Sequence, residues 1–330
     1  MTTHEPLTTV PDHRTILEVM RRASRAPSVH NTQPWHWIFD GVRLSLHTDP
    51  DRQLLAADPH GRQRIISCGA ALHHARTMFA AHGWHTDTEH IPDPHQPDLL
   101  AVIDFRRWPD PPEGIGHRAA AIDARRTDRL PMLPPDGWEE ILSRLRRLTA
   151  PHDVTLDAVG DEIRPRLAAV SDQADANRRD DMYYQNELQW WAGHSEMPEG
   201  IPPAALASDA EFARVDIGRS FPRPPHSDRR AELRDRSALV VLGTDGESAL
   251  QWLHAGEALS VVLLECTAAG LATCPLTHIT ELPAGRRTVA SLLPERTLPQ
   301  VIIRIGTAPG IEQPDPTPRR PLTETLEFRD

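Results

Sequence analysis

The sequence predicts an α+β fold in which mixed sheets are wrapped by helices. Three observations carry this. Stretches of helical and strand period alternate: helix, hairpin, helix, strand, then helix, strand, helix, strand, helix, strand. At 330 residues and 39% hydrophobic content the chain can fill one large domain or two modest ones. The most apolar run, 258–274, is interrupted by Glu265 and reads as a buried helix, not a membrane span.

The elements follow in order. Residues 1–12, with Pro6 and Pro11, read as a loose polar tail without a signal peptide. Ile16, Leu17, Met20 and Ala23 form one stripe of a helix over 14–25, which Pro27 stops. Ser28, Asn31 and Gln33 then sit on a loop that Pro34 holds extended. Strands 35–39 and 42–47 flank Asp40-Gly41, a two-residue hairpin signal. A helix over 62–82 ends at Gly83, and Cys68, Gly69, Ala70 and Ala71 would let it approach a neighbour closely. Strand 100–105 and a Pro-rich connector, 109–116, close the first part. Next come 119–126, the triplet Thr127-Asp128-Arg129, a helix at 136–149, strand 154–159 and one long helix over 161–191. The irregular, Pro- and Arg-rich stretch 196–235 is long enough to be a lid, a binding loop or disorder. Strand 238–242, helices 250–272 and 284–293, strand 301–305 and a Pro-rich tail complete the chain.

Composition narrows the chemistry. The net charge of −11 argues against a nucleic-acid partner. All 36 basic residues are Arg, which excludes lysine Schiff-base chemistry and leaves Arg as the phosphate-gripping side chain. Cys68, Cys266 and Cys274, an odd count without a CxxC, point to a reducing, cytoplasmic compartment. Gly114-Ile-Gly116 mimics a dinucleotide loop but follows Pro-Asp-Pro-Pro instead of a strand. There is no GxSxG, and no helical H-x-x-x-H with a carboxylate in place, so no metal site is expected.

The most informative stretch is 25–35, Arg-Ala-Pro-Ser-Val-His-Asn-Thr-Gln-Pro-Trp. A polar loop between a packed helix and an aromatic strand suits a flat ligand with polar edges. It resembles the Pro-Ser-x-x-Asn-x-Gln-Pro-Trp motif of the FMN-dependent nitroreductases, most closely the Acg-like branch in which two nitroreductase-like halves are fused. Arg125-Arg126-Thr127-Asp128-Arg129, Arg319-Arg320 and Gly270-Leu-Ala-Thr-Cys-Pro-Leu-Thr-His-Ile are similar to further family elements.

The resemblance implies a nitroreductase-like pseudo-dimer with halves at 1–118 and 119–330; it is weak across 196–235, whose length alone suggests a lid on the second half. It implies non-covalent FMN held by Ser28, His30, Asn31, Gln33, Arg125, Arg126, Thr127, Arg129, Thr277, His278, Ile279, Arg319 and Arg320. NAD(P)H would be the electron donor, and a nitroaromatic, quinone or other conjugated molecule the acceptor. FMN storage under a lid that includes Arg214, Phe221 and Arg223 is the alternative. No side chain is assigned as catalytic. The first helix is preceded by His4 and His13 but no Arg, and Thr149-Ala-Pro-His-Asp lacks the loop's continuation, so one complete flavin site per chain is expected. A fused pseudo-dimer is expected to be a monomer or a weak homodimer, with no membrane partner.

Overall fold

The structure is a computed structural model that describes residues 10–193, 199–224, 227–294, 297–310 and 315–329. His4 and the start of the expected lid, 196–198, lie outside the described residues.

The N-terminal elements are α1 (His13–Ala23), β1 (Trp35–Phe39), β2 (Leu44–Thr48), α2 (Arg62–Ala81), β3 (Trp84–His90), β4 (Leu99–Arg107) and α3 (Glu113–Ala124). Then come α4 (Trp138–Thr149), β5 (Thr155–Val159), α5 (Arg164–Arg178), α6 (Met182–Trp191) and α7 (Asp209–Phe212). The chain ends with β6 (Ala238–Thr244), α8 (Ala249–Ala268), β7 (Ala272–Leu276), α9 (His278–Glu281), α10 (Pro283–Leu292), β8 (Leu298–Gly306), α11 (Leu322–Thr325) and β9 (Leu326–Phe328).

α1 begins where the Thr15 N–H donates to Asp12 Oδ1 at 2.8 Å, and it buries Ile16, Val19, Met20 and Ala23. Three details depart from the expected elements. The hairpin turns over 40–43, because Asp40 Oδ1 accepts from the Val42 and Arg43 N–H groups at 2.9 and 2.6 Å. The expected long helix breaks at 179–181, where Asp181 caps α6 by accepting the Tyr184 N–H at 3.1 Å. β3 was not expected, since a polar edge strand that buries only Trp84 and Thr86 carries little apolar alternation.

Two sheets organise these elements. One runs β3-β4-β2-β1-β9 and the other β5-β6-β8-β7. Read from the opposite edge, the second is β7-β8-β6-β5, which matches the first strand for strand. The matching pairs are antiparallel in both, and each sheet shifts register at one place, between Leu46 and His47 or between Leu242 and Gly243. The additional strand β9 pairs parallel with β1, so the C-terminus completes the N-terminal sheet.

α2 and α8 cross between the sheets. A Cβ on Gly69 would lie 2.1 Å from the Leu253 carbonyl oxygen, and one on Gly256 2.0 Å from that of Ile66. Only hydrogen fits at both positions, which lets the backbones touch. The crossing has a two-fold pattern, in which α2 positions meet α8 positions 187 residues later, as His73 meets Ser260. Cys68, Cys266 and Cys274 are buried thiols in this interior, where burial pushes their pKa values up. No helix among the described residues is long and apolar enough to cross a membrane.

Candidate functional site

The loop between α1 and β1 is backbone under tension. His30, Asn31 and Gln33 have φ of 48°, 58° and 51°, left-handed values that cost a non-glycine residue about 1–3 kcal/mol. Neighbouring bonds hold them there. The Gln33 N–H donates to Ser28 Oγ at 3.0 Å, and the Val29 N–H to Ser67 Oγ on α2 at 3.1 Å. Asn31 Nδ2 donates to the carbonyls of Gly200 at 2.9 Å and Pro318 at 3.1 Å. One side chain thus ties this loop to the 199–224 stretch and to the C-terminal tail.

Beside the loop is a cavity of about 1100 Å³, just above the usual range for small-molecule sites, about 300–1,000 Å³. Both sequence halves line it, with Ser28, His30, Asn31 and Ser67 from the first and Arg125–Leu130, Leu276, Thr277 and Arg319 from the second. Much of 201–223 forms a further wall.

One pole is strongly cationic. Arg125 is buried, and its Nε and Nη1 have no hydrogen-bond partner. Its single bond runs from Nη2 to the Arg25 carbonyl at 3.4 Å. Burial, with Arg25 nearby, pushes its pKa down to about 10. Arg319 donates only to backbone carbonyls, those of Ser24 and Arg25 at 3.0 Å among them. Burial, then Arg125 and Arg25, push it down to about 9. Arg126 lines the same wall and makes no ion pair among the described residues. A buried guanidinium, Arg125, beside a half-buried one, Arg319, both without a carboxylate, is costly unless an anion meets them. The Asp128 N–H donates to the Thr273 carbonyl at 2.8 Å and so fixes the arginine segment beside β7.

The other wall is built on Arg219. Its Nη1 donates to His30 Nε2 at 2.8 Å and to the Tyr184 hydroxyl at 3.2 Å. Its Nη2 donates to Thr277 Oγ1 at 3.1 Å and pairs with Glu281. Because Arg can only donate, His30 Nε2 accepts and the ring proton sits on Nδ1. That Nδ1 is buried and unpartnered. Burial, then Arg219 and Arg129, hold His30 well below the usual imidazole range, so the ring is neutral. Arg129 stacks over Phe221 at 5.1 Å and donates to the Ala205 carbonyl at 3.0 Å.

Ser28, His30, Asn31, Arg125, Arg126, Thr127, Arg129, Thr277 and Arg319 all line this cavity. Four other expected residues do not. Gln33 turns inward, where its Oε1 accepts the Arg320 N–H at 2.8 Å. Arg320 itself pairs with Asp49 at 3.2 Å and Glu324 at 3.3 Å, so carboxylates already neutralise it. His278 is buried, with Nε2 against Ser171 Oγ at 2.8 Å, and Ile279 packs fully into the core. Both are turned from the cavity by the one-turn helix α9. Within the expected lid, Phe221 and Arg223 line the cavity, whereas Arg214 bonds to Asp228 and the Arg229 carbonyl instead. Arg219 and Ser67 lacked any local signal, because one Arg among several in an irregular stretch gives no sign that it turns inward.

The cavity has one polar counterpart outside it, which sequence spacing did not reveal. Among the described residues, His90, His254 and Glu257 place ligand-type atoms within 4.8 Å of one another. His254 and Glu257 are one helical turn apart on α8, a spacing outside the H-x-x-x-H pattern.

No protein-family model matches the chain. It is 45% identical over 316 residues to the Mycobacterium tuberculosis protein named "Putative NAD(P)H nitroreductase acg", covering 95% of this chain and 96% of that one. It is 37% identical over 324 residues to "Putative NAD(P)H nitroreductase Rv3131" of the same organism, covering 96% and 92%. The solved FMN-dependent nitroreductase NfnB of Mycobacterium smegmatis in complex with NADPH aligns with 66% of this chain at 18% identity and a TM-score of 0.40, too distant a likeness to carry weight. The end-to-end identity to the mycobacterial relatives decides the matter: this chain belongs to the nitroreductase superfamily, in its Acg-like branch.

Proposed function

We propose that the chain is an FMN-binding oxidoreductase that passes electrons from NAD(P)H to a nitroaromatic, quinone or related conjugated acceptor. The observation that carries this reading is the pair of guanidiniums lining one cavity, that of buried Arg125 and that of half-buried Arg319, neither of them paired with a carboxylate among the described residues. A phosphate dianion fits there, since Arg offers it charge-assisted, bidentate bonds. Arg126 would add a third cation. Neutral His30 lines the cavity, and Thr127 and Thr277 bring hydroxyl side chains to it. When bound, the flavin would supply the redox chemistry, and the protein would orient and tune it. No side chain needs to act as a general acid.

The strand order of the two sheets supports reading the chain as two nitroreductase-like halves with one flavin site between them, although the join expected between 118 and 119 falls inside α3. A pseudo-dimer that completes its own sheet with β9 favours a monomer, which sedimentation would test. A second reading, FMN storage, is favoured by the wall that 201–223 builds over the cavity and by the Asn31–Gly200 bond.

One experiment separates them. The purified protein should be yellow and should release FMN on heating. Mixed anaerobically with NADPH or NADH, its flavin should bleach and then recover its colour on adding a quinone. Flavin that stays oxidised with both donors defeats the reductase reading and favours storage. A colourless protein that ignores added FMN defeats both.

A further inference from the structure

The two-fold pattern shows what stands where a second flavin cavity would be. Ser67, which lines the flavin cavity from α2, corresponds to His254 on α8, 187 positions later. The 29–31 turn between α1 and β1 corresponds to the 150–152 turn between α4 and β5, which carries His152. Thr277 follows β7, and His90 ends the matching strand β3. The elements that wall the flavin cavity therefore recur here, but they carry His254, His152 and His90 where the flavin cavity has Ser67, Asn31 and Thr277.

These imidazoles converge on one carboxylate. Glu257 is 1% exposed. Its Oε2 lies 2.9 Å from His90 Nε2 and 3.8 Å from His152 Nδ1. His90 and His254 stand ring to ring at 5.1 Å and 88°. Arg76 bonds the other oxygen, Oε1, at 2.5 Å and so leaves Oε2 to the histidines. His73 closes the inner side but is committed to Ser260 Oγ at 2.7 Å.

We propose that His90, His254 and Glu257, with His152 as a fourth ligand, bind one first-row divalent metal ion of the zinc type. The donor set is right for it. Imidazole nitrogen and carboxylate oxygen bind zinc at about 2.0–2.2 Å in a four-coordinate site, whose donors stand about 3.3 Å apart. Three of the four already lie within 4.8 Å of one another, so small side-chain rotations complete the set. His90, His152 and His254 are partly exposed, which gives an ion a path in, whereas Glu257 is the buried anchor. The ion would replace the hydrogen bond between His90 and Glu257 and would bridge the β3 end, the 150–152 turn and α8. The inference does not depend on flavin binding.

Untagged protein, stripped with a chelator and returned to its normal flavin content, should be titrated calorimetrically with zinc chloride. One ion per chain should bind with a Kd below about 10 µM. His254→Ala and His90→Ala should each weaken that binding at least about tenfold, while an unrelated surface histidine variant, His60→Ala, should not. X-ray absorption of the zinc-loaded wild-type protein should show two or more imidazoles and no sulfur in the first shell, a readout independent of whether the variants fold. Binding that does not saturate below about 1 mM, affinity unchanged in both variants, or a first shell without imidazole would overturn the proposal.

Discussion

At the scale of single residues, Arg125 shows how burial without a partner marks a binding function. A structural arginine in this molecule looks like Arg304, fully buried and paired with Asp235 at 2.6 Å. Arg125 is also buried, yet two of its nitrogens are orphaned. Arg125→Met should therefore do two opposite things. Without ligand the variant should melt at a higher temperature than wild type, because an uncompensated buried cation is gone. Its affinity for FMN should fall about 10- to 100-fold, the equivalent of about 1.5–3 kcal/mol for a charged hydrogen bond. Thermal melts of the apoprotein and fluorescence titration with FMN check the pair. A loss of stability with unchanged FMN affinity would make Arg125 structural. His30 adds a pH dependence. Its folded pKa lies below its unfolded one, so the native state binds fewer protons, and stability should decline as pH falls below about 6.5. Denaturant titrations at pH 7.5 and 5.5 should show the decline, and His30→Asn should lessen it.

At the scale of elements, the 199–224 wall has little regular structure, so its order comes from polar pins. Glu211 is the principal one. Its carboxylate accepts from the Ser208 and Arg229 backbone N–H groups, from Ser227 Oγ at 2.6 Å and from the Arg229 guanidinium at 2.8 Å. Against the cost of burial, these bonds, that to Arg229 first among them, hold its pKa down to about 2. The stability it contributes is present above its unfolded pKa of about 4.5 and is lost as pH falls from there to about 2. Glu211→Gln should destabilise the protein by about 1–2 kcal/mol near neutral pH, since it weakens the charged hydrogen bonds to partly exposed Arg229 and to the backbone N–H groups. It should also flatten that acid limb. Urea titrations of wild type and variant at pH 7 and pH 3.5 measure both effects. FMN should also dissociate faster from the variant, because the wall that faces the cavity would be looser.

Across the whole molecule, the contact of α2 with α8 joins the two sheets, and it depends on two missing side chains. A methyl at residue 69 would meet the Leu253 carbonyl oxygen at 2.1 Å, which is rigid backbone. Gly69→Ala should destabilise the protein by about 3 kcal/mol through overpacking. Gly116→Ala, where a Cβ meets nothing within 4 Å, should not destabilise and serves as the control. Loss of flavin together with stability in Gly69→Ala would show that the cavity needs the crossing, since α2 carries Ser67 and the neighbouring β7 leads into Thr277.

Much of this was legible along the chain. Helical stripes, strand alternation and Pro27 place α1, β1 and the loop between them, because these are local consequences of side-chain period and backbone sterics. The small residues around Gly69 announce a close helix contact, and the order of loop, arginine segment and C-terminal arginine pair announces a phosphorylated ligand. What stayed hidden depends on direction. Arg319 and Arg320 are adjacent and chemically identical, yet one faces the cavity and the other finds Asp49 and Glu324. Arg219 and Glu281 lie 62 residues apart, and His90 reaches Glu257 across 167. The sequence by itself determined which elements form and which residue types are available. Only the tertiary structure decided which charges end up paired, because burial and neutralisation depend on what long-range packing brings alongside each group.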